Sequence, residues 1–206
     1  MSCDAFSQMW RWGYAYIRFR HHALDLRHSL PGSVLALTLG LCVLSAAAGE
    51  PSRAQRRELD RAEAQLHKSL MPLEAGPAVQ ILRDPERVVL RIPARLLFDA
   101  ESTIPRADAP ARALLMAARQ LLRKRARLAV QVDVYTDGIG GAEANLRFAQ
   151  RRADALLTWL IEEGVPAARV RATARGASEP LASDDVPEGR VRNRRVEFGF
   201  EPAPLP

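Results

Sequence analysis

Cysteine is almost missing: Cys3 and Cys42 are the only two in 206 residues. A disulfide-dense scaffold and a cysteine-based zinc ribbon are thereby excluded. Histidine is nearly as scarce. Of His21, His22, His28 and His67, three precede residue 30, so imidazole-based metal or triad chemistry is improbable. Lysine occurs only at Lys68 and Lys124; all other basic residues are arginine. Acids are plentiful, 24 against 30 basic residues, which is not the balance of a polycation that coats nucleic acid. No Gly-x-Ser-x-Gly nucleophile elbow occurs. What the chain does have is 48% hydrophobic residues, enough for a packed core.

The aromatic residues are unevenly placed. Phe6, Trp10, Trp12, Tyr14, Tyr16 and Phe19 crowd the start; only Phe98, Tyr135, Phe148, Trp159, Phe198 and Phe200 follow. Ser29 to Gly49 carries no charged residue, with an apolar run from Val34 to Leu44 and then Ala46-Ala47-Ala48. A basic flank, an apolar run and an Ala-x-Ala site form the order of a secretory signal peptide. Residues 1–48 are therefore expected to be a targeting region, cut near Ala48 or retained as a membrane anchor. A true start near Leu26 would remove its unusually long basic segment. Leu41 precedes Cys42 where a lipobox wants a small residue, so Cys42 reads as part of the apolar run. The +6 net charge divides into +2 before Gly49 and +4 after it, and the second part has no cysteine.

Residues 49–76 read as a helical linker. Ser52 is a candidate N-cap, and Leu59, Ala62, Leu66 and Leu70 recur at helical steps. Such a stripe is a docking face or a spacer. Ala78–Leu82 and Val88–Ile92 flank Asp84-Pro85-Glu86 and predict a hairpin. Ala111–Arg125 predicts an amphipathic helix. The cations of Arg123–Arg127 at its end suit the negative helix terminus. Leu128, Val130, Val132 and Val134 alternate with polar or small residues, as in a strand with one buried face. A second helix is predicted over Ala144–Glu163, stopped by Gly164. Strands over Arg169–Arg175 and Arg194–Phe200 follow, separated by a polar loop, and 201–206 is a Pro-rich tail. The expected fold is α+β, a two-layer sandwich with two main helices on one face of a mixed sheet.

Tyr135-Thr136-Asp137-Gly138-Ile139-Gly140-Gly141 joins an acid, a hydroxyl and glycines to a helix start. Glycines let N–H groups converge there, and the helix end favours anions. Asp and Gly are also ordinary turn residues, so this run alone decides little. The ordered set is more specific. It comprises Thr136-Asp137-x-x-Gly140, Asn145-x-x-Phe148-Ala149-x-x-Arg152-Ala153, Gly164-Val165, Gly176-x-x-x-Pro180 and Gly189-Arg190-x-x-Asn193-Arg194-Arg195-Val196-Glu197. Over about Val88–Phe200 the chain resembles the OmpA-like C-terminal domain.

The resemblance implies non-catalytic binding of peptidoglycan over 77–200, tethering an envelope component to the wall, without a cofactor. Asp137 and Arg152 take the positions that hold diaminopimelate of the stem peptide. The chemistry is complementary: a carboxylate meets the free ammonium, and a guanidinium meets the free carboxylate. Thr136, Asn145, Phe148 and Arg194 are candidates for lining the same pocket. Val134-Tyr135 stand where the family has Gly-His, Ala149 replaces a Ser and Ala174 a Gly; Tyr135 could narrow the pocket. The residues before Val88 leave no room for an eight-stranded barrel, and Ser29–Gly49 lacks the acid of an ion-conducting stator helix. An adaptor that meets envelope proteins through the 51–71 helix is the alternative. A wall hydrolase is disfavoured by the missing nucleophiles, and no nucleic-acid partner is expected without a stacking aromatic stripe. Membrane contact is expected only through 29–49, if retained. The protein is expected in the periplasm, associated with the outer membrane or wall, or anchored to the inner membrane. N-terminal sequencing of the mature protein should read from Gly49; Trp10 and Trp12 in that product would contradict cleavage.

Overall fold

The computed structural model describes residues 51–72 and 78–203. The targeting region, the Gly76-Pro77 break and residues 204–206 lie outside them. Residues from Gly49 onward belong to one compact unit.

Helix α1 spans Arg53–Leu70 and begins with a capping box: Ser52 Oγ accepts from Gln55 N–H, and Gln55 Oε1 accepts from Ser52 N–H. Strands β1 (Gln80–Arg83) and β2 (Val88–Pro93) form the expected hairpin, slightly shifted in its ends. Its turn is held by Asp84, whose carboxylate accepts from the N–H groups of Glu86 and Arg87 at 2.9 and 2.8 Å. Helix α2 (Ala109–Lys124) starts at Asp108, whose side chain accepts from Ala111 N–H at 3.0 Å. Strand β3 (Leu128–Tyr135), helix α3 (Ala142–Glu162) and strand β4 (Val170–Gly176) form a parallel crossover unit. Pro187–Asn193, read from sequence as polar loop, is a short helix, α4. Strand β5 (Arg195–Pro202) runs two residues past the expected end at Phe200.

The five strands form one mixed sheet in the order β1-β2-β5-β3-β4. The fold is α+β, as expected, with four helices among the described residues. Leu90, Ile92, Val130, Val132, Phe198 and Phe200 turn one sheet face toward the helix layer and are fully buried.

The helix assigned to the linker contributes to this core. Leu59, Ala62 and Leu66 have no exposed surface and join the same cluster. α1 runs antiparallel to α2: Arg125 lies 3.6 Å from Glu58, while Gln65 reaches the Gln120 carbonyl. Arg119 ties α2 to α3, 2.9 Å from both the Glu163 carbonyl and its carboxylate.

Strand β3 is buried on both faces, not one. Its second face carries a charged layer. Arg91, Glu197, Asp133 and Thr173 stand in register across β2, β5, β3 and β4. Glu197 accepts from Arg91 and Arg195, each at 2.8 Å. Asp133 accepts from Arg175 at 3.0 Å and from Gln131 at 3.1 Å. Burial alone would raise the Glu197 carboxyl; the bonds from Arg195 and Arg91 outweigh it and hold the group below its ordinary value. The guanidinium of Arg195 covers the Tyr135 ring at 3.5 Å.

Leu66→Ala is expected to destabilise the fold by about 2–5 kcal/mol through the cavity it leaves, measured by urea unfolding. A loss below about 0.5 kcal/mol, the scale of a surface change, would show that α1 is only a spacer.

Candidate ligand-binding site

The site lies where β3 passes into α3. Gly141 is the N-cap of α3 with φ +87°, a conformation that disfavours any side chain. Asn145, one turn into α3, donates from its amide to the Asp137 carbonyl at 2.9 Å. Asp137 Oδ1 accepts from Ile139 N–H at 3.3 Å. Asp184 Oδ2 accepts from Gly138 N–H at 2.9 Å. Asp184 is itself fixed by Asn193, which donates to Asp184 Oδ1 and accepts from the N–H groups of Leu181 and Ala182. α4 lies so close to this loop that a Cβ on Gly189 would meet the Ser183 carbonyl oxygen at 1.8 Å. Only glycine fits there.

Arg152 projects from α3 and is 4% exposed. Its Nε donates to the Ser102 carbonyl at 2.9 Å, and its Nη2 donates to those of Asp99 and Ala100 at 2.9 and 3.1 Å. The guanidinium carbon lies 4.5 Å from the Phe98 ring centroid and 4.3 Å from that of Phe148. Among the described residues no carboxylate pairs with it. Desolvation, and then the nearby charge of Arg194, push its pKa down from 12.5 to about 10. It is still a cation at neutral pH.

Asp137 takes its ion pair from Arg194, not from Arg152: Arg194 Nη1 bonds Asp137 Oδ2. Arg194 is the more exposed partner, with 44% of its side chain open against 13% for Asp137. Thr136 donates its N–H to the Gly176 carbonyl at 2.8 Å. Its side-chain oxygen is buried without a hydrogen-bond partner, an unusual state for a hydroxyl. The described geometry thus joins Phe148 to Arg152, Asn145 and Arg194 to Asp137, and Arg194 to the electrostatics of Arg152. Tyr135 does not narrow this side. It follows the alternation of β3 onto the opposite sheet face, under Arg195.

Phe98, the carbonyls of residues 99–102, Asp184 and Asn193 complete the arrangement but were not among the expected site residues. Backbone carbonyls leave no mark on residue identity. No group of residues suited to hold a metal occurs among the described residues.

The turn between β3 and α3 thus gathers two guanidinium groups, one carboxylate and a buried hydroxyl, a set able to hold charged groups without covalent chemistry. Residues 97–194 of the chain match the OmpA family model. It is 36% identical over 128 residues to a probable lipoprotein, YiaD, of Escherichia coli, covering 62% of this chain and 57% of that protein. It is also 36% identical over 102 residues to the peptidoglycan-associated lipoprotein of Agrobacterium fabrum, covering 50% of this chain and 56% of that one. The chain thus spans little more than half the length of these two curated relatives. Among solved structures, the cell wall anchor of the T6SS from Pseudomonas aeruginosa aligns with a TM-score of 0.58 at 28% identity, covering 66% of this chain and 96% of that one. A putative MotB like protein from Desulfovibrio vulgaris shares the fold, with a TM-score of 0.63 at 23% identity over 73% of this chain and 99% of that one.

A buried, unpartnered hydroxyl costs about 1–3 kcal/mol. Thr136→Val, nearly isosteric, is expected to raise the unfolding free energy by roughly 1 kcal/mol. A loss of more than about 1 kcal/mol in thermal or urea unfolding would mean that the hydroxyl is satisfied within the fold.

Proposed function

We propose that this domain binds peptidoglycan non-covalently through the diaminopimelate of the stem peptide and ties an envelope component to the wall. The observation that carries this reading is the Arg152 guanidinium, buried, cationic and without a carboxylate among the described residues. Three carbonyls and two rings fix its plane. Nη1 is the nitrogen left for a ligand, and a ligand carboxylate there also relieves the repulsion from Arg194. Asp137 then receives the ligand ammonium. Diaminopimelate carries such an ammonium beside such a carboxylate. The names of relatives agree in kind: a peptidoglycan-associated lipoprotein and a cell wall anchor. A peptidoglycan-binding protein, ArfA, of Mycobacterium tuberculosis is 35% identical over 69 residues, 34% of this chain and 21% of that one.

The reading is of a binding protein, not an enzyme, working in the periplasm beside the wall. No helix among the described residues is long and apolar enough to cross a membrane.

Arg152→Ala is a poor test, because it also releases the carbonyls of the 99–102 segment. Asp137→Asn keeps the shape and removes the charge. Loss of one charge-assisted bond of about 1.5–3 kcal/mol predicts roughly ten- to a hundredfold weaker co-sedimentation with diaminopimelate-containing sacculi. Wild-type protein that stays in the supernatant, or an Asn variant that sediments equally, would sink the proposal.

A further inference from the structure

Helix α1 breaks a local electrostatic rule. Helix N-termini favour acids, yet the first turn of α1 has none, and Arg53, Arg56 and Arg57 stand there. Arg53, Arg57 and Arg61 recur at four-residue steps and form one exposed stripe. Arg53 and Arg57 have no carboxylate partner among the described residues, and Arg61 has only Glu58 at 3.9 Å. Unfavourable placement at a helix end marks residues kept for something other than stability.

The antiparallel packing of α1 on α2 brings this end beside the turn after α2. There Ala54, Arg57, Arg61, Ala126, Arg127 and Pro202 border a groove of about 760 Å³ together with one acid, Glu58, whose carboxylate is already taken by Arg125 at 3.6 Å and Arg61 at 3.9 Å. Arg127 is exposed and also lacks an acidic partner among the described residues. Nor do the cations after α2 serve as its cap: Arg169 already donates to the carbonyls of Leu122, Arg125 and Leu128 at 2.7–2.8 Å. The helix-terminus explanation of Arg123–Arg127 therefore accounts for less than the sequence suggested.

A carbon floor between arginines suits an amphiphile with an anionic head. The chain reaches the stripe only four residues after the uncharged stretch Ser29–Gly49 ends. We propose that the groove and its arginine stripe dock the domain against an anionic phospholipid surface. Cations near such a surface interact with its negative potential, while the guanidinium-carbonyl bonds of Arg152 and the Asp137 turn are separate from these residues. The proposal does not depend on peptidoglycan binding.

The test uses residues 49–206, a compact unit by themselves, whose core among the described residues runs from Leu59 to Phe200. Vesicles of phosphatidylcholine, with and without phosphatidylglycerol, are sedimented with wild type and with a variant carrying Arg53→Gln, Arg57→Gln and Arg61→Gln. Wild type should bind only the phosphatidylglycerol vesicles, and more weakly as salt shortens the screening length from about 30 Å at 0.01 M to about 8 Å at 0.15 M. The variant should bind about a hundredfold more weakly, at roughly fivefold per arginine. Its melting temperature should be unchanged or higher, because the helix end loses unfavourable cations, and its sacculus binding should be unchanged. Equal vesicle binding by variant and wild type overturns the proposal. So does indifference to phosphatidylglycerol, or tighter binding to poly-glutamate than to the vesicles.

Discussion

A buried arginine with no carboxylate partner among the described residues sets the form of the end of the sheet where β3 passes into α3. Arg152 lies between the rings of Phe98 and Phe148 and bonds the carbonyls of Asp99, Ala100 and Ser102. Those bonds tie the segment after β2 to α3. They compensate the guanidinium's lost hydration only in part, which is why its pKa falls to about 10. A charge in that state is stabilised by any carboxylate that reaches it. The same side chain is thus both a clamp in the fold and the natural seat for an anion.

The motif around residues 193–197 divides its work by position. Asn193 braces the 181–184 loop, and through Asp184 it braces Gly138. Arg194 reaches Asp137. Arg195 and Glu197 share a bond on the charged sheet face, and Val196 lies between them in the core. Strand alternation explains this division. One short segment therefore joins the strand-to-helix turn, the loop that supports it and the sheet below it.

Much of the fold was legible because periodicity reports burial. The alternation of Leu128 to Val134 and the three- and four-residue steps of Leu114, Ala118, Leu121 and Leu122 match residues that are buried in the structure. The hairpin turn followed from Asp84-Pro85. Less legible was anything set by partners distant in sequence. Leu59, Ala62 and Leu66 showed a stripe, but not that α2 and the sheet of the same domain cover it. Asp133 and Gln131 read as the wet face of a strand. Their partners Arg175 and Thr173 lie some forty residues on, and the arginines make that face a buried charged layer. In the site, the motif resemblance singled out Asp137 and Arg152, while the pairing of Asp137 with Arg194 depends on how the turn before α3 meets the start of β5.

We propose that Arg152 takes the second carboxylate of diaminopimelate, which lysine-type stem peptides lack. Calorimetric titration with two synthetic stem peptides, identical except for meso-diaminopimelate or lysine at the third position, tests it directly. Lysine keeps the side-chain ammonium and lacks the second carboxylate. The account predicts saturable binding of the diaminopimelate peptide and at least roughly tenfold weaker binding of the lysine peptide, the loss of one charge-assisted contact. Equal affinity for the two would contradict it.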